Sequence, residues 1–335
     1  ASLAGGDSAT SKMARMRFIT LSFCAAISVA LLTGCGDSES LTSVASSGAA
    51  LPRSFHPQAD AGSGLIYSAS GGNSVDYYLK GTGPNNPVAG SLSGDFSDPT
   101  GMGVDTAGDV FVANNDAQNV LVYRNGSTSP SATLNDPNQF PYDVAIGPDG
   151  TAYVAGISGP IGANGNLVAY APGASNPTRT LNDKHFLHVI GVALDKSGNV
   201  FASYDAHMVA GTASVVEFKG GKDKATETHI KLGAAGGIGF DSAGHLLAID
   251  VQAQTLNVYD VGTRTPIHQL KLPGTSIFFS FNKDSSRLYL ADYSQGKIDE
   301  YRYRPDGLTL INTITNGMSP SSYNQGIATT PAQQL

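Results

Sequence analysis

Seven side chains are of types that could do chemistry: Asn114, Asp143, His188, Asp205, His207, Asp250 and Asp292. They are far apart along the chain, so only a fold that gathers repeated loops would make them one site. If it does, three readings are open. Carboxylates such as Asp205, Asp250 and Asp292 suit a hard divalent cation, Ca²⁺ or Mg²⁺, with His188 or His207 as a base. The same groups could instead hold a polar ligand, a sugar, peptide or cell-wall fragment, by hydrogen bonds alone. Or they are solvated loop residues, since Asn and Asp favour tight turns for their own geometry.

The elements that must position these residues repeat. Gly101–Tyr123 reads as a short apolar run, a tight turn at Asp105–Gly108, a second run, a polar loop and a third run ending on Tyr123. Comparable units start at Tyr142, Gly191, Gly237 and Ser276, with turns at Pro148–Gly150, Asp195–Gly198, Asp241–Gly244 and Asn282–Arg287. Their third runs end on Tyr170, Phe218, Tyr259 and Tyr301, and an earlier one ends on Tyr78. A period of roughly 40–50 residues with several short strands per unit is the pattern of a β-propeller, one four-stranded blade per repeat. The fourth strand is visible where Asn176–Asp183 echoes Ser129–Asp136, and more weakly at Asn86–Leu92. The proline in each copy suits an edge strand.

The two ends are incomplete in complementary ways. Leu65–Ala69 and Val75–Tyr78 read as second and third strands lacking a first, and Gly326–Thr329 reads as a first strand with nothing after it. Joining them removes an open sheet edge and ties down both ends. The expected fold is therefore all-β, a six-bladed β-propeller over residues 63–330 with four-stranded antiparallel blades, closed by N- and C-terminal strands sharing one blade. Loops leading into first strands and loops between second and third strands then share one face, around the channel mouth. The seven residues fall there, with Asp98, Tyr142, His185 and Tyr323.

Val110–Asn115 with Asn119–Tyr123, and Leu288–Asp292 with Lys297–Tyr301, resemble the strand–loop–strand text of the NHL-repeat and streptogramin-lyase-like group of six-bladed propellers. The resemblance implies a fold and no particular activity, because such propellers carry many unrelated sites. Gluconolactonase-like propellers place a metal-binding Glu early in the first blade, and no Glu stands near Leu65. Streptogramin lyases use a His and Glu pair in Trp-bearing blades, and this chain has no Trp. No catalytic residue is carried over from either, and the balance of the residues leans away from an enzyme.

Other histidines fit structural roles. His185 and His188 are three apart on a loop or strand entry, His245 is expected to be exposed on the opposite face, and His229 and His268 belong to outer strands. Gly156–Gly165 lacks the helix and Lys-Ser/Thr of a phosphate loop, and Lys219–Lys224 reads as a solvated hairpin tip.

The front of the chain reads as an address. Met13–Arg17 is basic, Phe18–Leu32 is mainly apolar and uncharged, and Leu32-Thr33-Gly34-Cys35 resembles the bacterial lipobox. That apolar run is shorter than the roughly 20 residues a membrane-spanning helix needs, which leaves a secretory signal. The resemblance implies cleavage before Cys35 and attachment of lipid to its thiol. Residues 1–34 are then an upstream extension and signal peptide, and 35–62 a Ser/Ala/Gly tether. A cell-envelope address facing periplasm or exterior follows, with Gly36 in place of Asp favouring the outer membrane. Of the two cysteines, Cys24 lies within the signal, so no disulfide is expected in the mature chain. Net charge is −7; Lys12, Arg15 and Arg17 against Asp7 make residues 1–34 positive, so the remainder is more acidic still. Without a basic stripe, nucleic acid is not an expected partner. The expected partners are the membrane, through Cys35, and a protein or polar ligand at the rim of a monomer.

Overall fold

Short apolar runs bounded by Gly- and Asx-bearing turns give strands of three to eight residues. The computed structural model describes residues 64–333, apart from 71, 82, 138, 159–163, 207–208 and 320–322. The leader, the tether, Cys35 and His207 lie outside the described residues. Those described are all-β, with a 3₁₀ turn at Lys219–Gly221.

The strands come in successive groups. The first is β1 (Leu65–Ser70), β2 (Ser74–Leu79) and β3 (Val88–Ser91). The second is β4 (Pro99–Val104), β5 (Val110–Asn114), β6 (Asn119–Tyr123) and β7 (Ala132–Asn135). Then follow β8 (Gln139–Ile146), β9 (Ala152–Ser158), β10 (Asn166–Tyr170) and β11 (Arg179–Leu181). The next is β12 (His188–Leu194), β13 (Val200–Asp205), β14 (Ala213–Phe218) and β15 (Ala225–Leu232). After these come β16 (Ala235–Phe240), β17 (Leu246–Asp250), β18 (Thr255–Tyr259) and β19 (His268–Lys271). The last are β20 (Ser276–Phe281), β21 (Arg287–Asp292), β22 (Lys297–Arg304), β23 (Gly307–Ile314) and β24 (Ile327–Thr329).

Named strands pair antiparallel. Four sheets have four strands each: β24-β1-β2-β3, β4 to β7, β16 to β19 and β20 to β23. The fifth has eight, β8 to β15. Within it β8 to β11 and β12 to β15 are joined by one residue pair, His188 with Ile157. The expected joining of the ends is present, with Tyr67 opposite Ala328 and Ser68 opposite Ile327.

Turn chemistry follows the expectation. In Asp105–Gly108 the Asp105 carboxylate accepts the N–H groups of Ala107 and Asp109 at 2.9 and 2.8 Å, and Gly108 takes φ +86°. That conformation costs glycine nothing. Asp195 repeats the arrangement with Ser197 and Asn199.

The sheets form a propeller-like ring in which the first strand of each group packs against the next. Close approach needs glycine: a Cβ on Gly101 would lie 2.6 Å from the Tyr142 carbonyl oxygen of β8, and one on Gly237 would lie 2.7 Å from the Phe278 ring of β20. Ile66 and Ile327 from one sheet share a core cluster with Ile190, Ile238 and Phe278 from three others.

The recurring third-strand tyrosines link neighbouring groups. Tyr78, Tyr123 and Tyr170 are buried. Their hydroxyls donate to the carbonyls of Asn316, Ser93 and Asn135 at 2.9, 3.0 and 2.8 Å, in each case on the segment leaving the adjacent sheet. Phe218 keeps the ring at the corresponding position without the hydroxyl. Tyr123→Phe should therefore lower unfolding free energy by about 1 kcal/mol, the net worth of one hydrogen bond. Urea titration checks this, and an unchanged midpoint would refute the linking role.

Candidate functional site

Asn114, Asp250 and Asp292 occupy one position of the repeat. Each ends a second strand, four residues after the residue paired with the third-strand aromatic: Val110 with Tyr123, Leu246 with Tyr259, Leu288 with Tyr301. All three are buried. Asn114 accepts the Ser97 N–H at 2.7 Å and donates to the Asp95 carbonyl at 3.0 Å. Asp250 accepts the N–H groups of Gly233, Ala234 and Ala253 at 2.7, 3.3 and 3.0 Å. Asp292 Oδ1 accepts from the Ser294 N–H, the Ser294 hydroxyl and the Gln295 N–H. Its Oδ2 is buried, with no hydrogen-bond partner among the described residues. Each of these side chains thus organises the loops of its own sheet.

Asp143 is elsewhere, on β8, lining a cavity of about 160 Å³ with Met102, Val192, Ile238 and Phe278. Its carboxyl accepts the Val192 N–H at 3.0 Å. Burial pushes its pKa up to about 8, against the lowering effect of the Val192 and Val144 N–H groups. His188 and Asp205 do come together: they are paired across β12 and β13, both buried, with Nδ1 3.5 Å from Oδ1. Tyr142 donates to Gln325 at 3.2 Å, and Gln325 donates to Asp98 at 3.4 Å. Burial, then the Asp116 charge, raises the Asp98 carboxyl.

A different set converges at the corresponding end of the β12–β15 group. The turn before β12 is fixed by Asp183, whose carboxylate accepts the His185 N–H at 2.9 Å, and by the buried Phe186, packed on Tyr204 and Phe218. His185 Nδ1 then lies 2.7 Å from Asp183 Oδ1 and 3.0 Å from Glu227 Oε1. Its ring stacks on Tyr204, centroids 5.9 Å apart and planes 10° from parallel. The Tyr204 hydroxyl is 3.4 and 3.3 Å from the two Glu227 carboxylate oxygens. Burial, the largest of several influences, raises the Tyr204 phenol to about 12, so it stays a neutral donor at neutral pH. His185, Tyr204 and Glu227 line a cleft of about 460 Å³ with Lys184, His229 and Lys231, and Asp183 stands behind His185.

The sequence reading placed His185 on this end but missed Asp183, Tyr204, Glu227 and Lys231. The spacing of Glu227, His229 and Lys231, two apart on an outer strand, was the available signal, because alternate strand residues share a face. His185 and His188 face different partners, the first Asp183 and Glu227, the second Asp205. His245, expected to be exposed, is half-buried, with Nδ1 2.8 Å from Asp241, which also accepts the Tyr303 hydroxyl at 3.0 Å. The aspartate of the β16–β17 turn pulls the ring inward.

No protein-family model and no curated protein matches this chain. Among solved structures it is similar to a protein of unknown function from Bacteroides caccae, at 12% identity and TM-score 0.59, over 80% of this chain and 98% of that one. It is also similar to Kuenenia stuttgartiensis hydrazine synthase, at 15% identity and TM-score 0.53, over 75% of this chain and 82% of that one. At such identities the likeness shows the fold alone.

Asp143 yields a pH-dependent outcome. Its folded pKa, about 8, lies above the ordinary value of 3.8. The folded state therefore holds a proton that the unfolded chain gives up. This contribution to stability is complete below the unfolded pKa, shrinks as pH rises, and is gone once the folded pKa is passed. Asp143→Asn removes the titration, so the loss of stability between about pH 4 and pH 8 should flatten by on the order of 5 kcal/mol, roughly four pH units at about 1.4 kcal/mol each. Denaturant unfolding across that range measures it, and parallel curves for the two proteins would rule it out.

Proposed function

We propose that this chain is a cell-envelope lipoprotein whose propeller is a binding or scaffolding module for a polar ligand. The observation that carries the reading is the cleft: two lysines, two histidines, one carboxylate and a buried phenol line it at one end of a single strand group, with Asp183 against one of the histidines. The ring is read as six NHL-like blades, with the eight-stranded sheet counted as two, because one residue pair joins its halves. Lys184 and Lys231 are exposed and suit a ligand carrying carboxylates, such as the peptide stem of a soluble cell-wall fragment. The alternative, a metal-dependent lyase or hydrolase at the channel rim, has less support, because Asp250 and Asn114 use their side chains on their own loops.

Titrating the purified chain with soluble muropeptides should give saturable heat. Lys184→Ala with Lys231→Ala should weaken binding roughly tenfold or more, the worth of one or two charge-assisted hydrogen bonds. Absence of saturable binding, or equal affinity in the double variant, would overturn this assignment of the cleft. The lipid anchor is tested apart: Cys35→Ala should move the protein from the membrane to the soluble fraction, and retention would count against lipidation.

A further inference from the structure

We infer that Asp183, His185 and Glu227 form a binding site for a divalent transition ion of the zinc class, at the side of the cleft that His185 and Glu227 line. The inference deepens the binding role proposed above and rests on it only for the use made of the ion.

The donor set is mixed. One imidazole nitrogen and one oxygen from each of two carboxylates lie within 4.8 Å of one another. An imidazole plus two carboxylates suits zinc, which takes nitrogen and oxygen ligands at about 2.0–2.2 Å in a tetrahedron. Calcium and magnesium prefer all-oxygen shells and fit it less well.

The arrangement also lacks a sufficient explanation as hydrogen bonding. Nδ1 of a histidine carries at most one proton, yet here it faces two carboxylate oxygens at 2.7 and 3.0 Å. One donor cannot serve both fully, and two anions drawn to one nitrogen repel each other. A cation among the three ligand atoms removes both problems. It would require Nδ1 deprotonated, which leaves the proton on Nε2.

The surroundings match those of a built site. The Asp183 turn fixes the backbone of His185, the stacked Tyr204 ring fixes the imidazole plane, and the Tyr204 hydroxyl orients Glu227. Such supporting hydrogen bonds hold metal ligands in position. Three protein ligands leave a fourth position, and the cleft opens beside them with Lys184, His229 and Lys231 on its walls. An ion there would accept an anionic or carbonyl oxygen from the ligand, with the lysines neutralising the remaining charge. The site is thus an anchor for the ligand and needs no bond-breaking step.

The test uses the tag-free chain and zinc ions alone, so it stands or falls independently of the muropeptide titration. Calorimetry should show one zinc bound per chain, competed poorly by magnesium. His185→Ala and the near-isosteric Glu227→Gln should each weaken zinc at least tenfold, while His268→Ala, on another sheet, should bind as the parent does. Thermal melts of the variants without metal establish that they are folded. X-ray absorption of the zinc-loaded chain should show an imidazole nitrogen in a nitrogen–oxygen shell. No zinc binding, or undiminished binding in folded His185→Ala and Glu227→Gln, would overturn the site. Muropeptide binding that persists without metal would remove the anchoring role and leave the zinc site standing.

Discussion

Backbone meets backbone where the first strands of successive sheets pack, and this close approach governs the rest of the structure. At Gly101 and Gly237 no side chain fits between one sheet and the next. Inserting even a methyl group into such a contact forces backbone shifts, typically at a cost of about 1–3 kcal/mol. The ring therefore has little freedom to open or change pitch. That rigidity explains why β24 (Ile327–Thr329), from the far end of the chain, completes the sheet of β1 (Leu65–Ser70): without it, one first strand would be missing from the packing. Adjacent sheets are also linked at their edges by tyrosine hydroxyls, so position is set on both sides of each sheet.

A rigid repeat spends most of its polar residues on itself. Asn114, Asp250 and Asp292 stand at one position of three units and tie incoming loops to outgoing ones. Their recurrence reflects a recurring structural need, since buried loop amides require acceptors. A site for an outside ligand is then to be sought where the repeat departs from its own rule. In the β12–β15 group, Val200 pairs with Phe218, so the position taken by Asn114, Asp250 and Asp292 in three other groups, and by Ser70 and Gly156 in the remaining two, falls on the aromatic Tyr204. The outer strand of that group is also irregular: its register shifts between the partners of Ser214 and Val216, and His229 adopts φ +61°. The cleft lies where this aromatic faces the irregular outer strand.

Much of the architecture was legible because it depends on local signals that repeat. Turn residues such as Asp105 and Gly108, and aromatics such as Tyr123, mark every unit, and the complementary ends followed from a count of strands. The sequence placed Asn114, His188, Asp205, Asp250 and Asp292 at strand ends but not their partners, and it put Asp143 on a lead-in loop, whereas it lies within β8. Burial and hydrogen bonding across 30 to 50 positions, as between Asp143 and Val192 or Ser203 and Gly236, leave no periodic trace. Nor did the sequence distinguish an Asp that organises a loop from one that faces a ligand, because both occur in the same turn-rich text. Asp183, Tyr204 and Glu227 are assembled from a lead-in turn, a second strand and an outer strand. A bulge sets where the outer strand meets its neighbour, and the bulge is invisible in the alternation alone.

The cleft is held from several directions, which bears on what it can do. Asn182, just before the Asp183 turn, bridges to Lys224 at the start of the outer strand. Leu187, just after it, accepts the Gly165 N–H at 2.8 Å from the neighbouring group. His188 joins the same neighbour through Ile157. The segment between is anchored by the buried Phe186. On the binding reading proposed above, a ligand entering here would meet groups already ordered, so little of its binding energy would be lost to arranging the protein. Preorganisation of this kind favours selective recognition over adaptive contact. On that reading, selectivity would reside in the spacing of Lys184, His185, Glu227 and Lys231, because the backbone that carries them has few ways to yield.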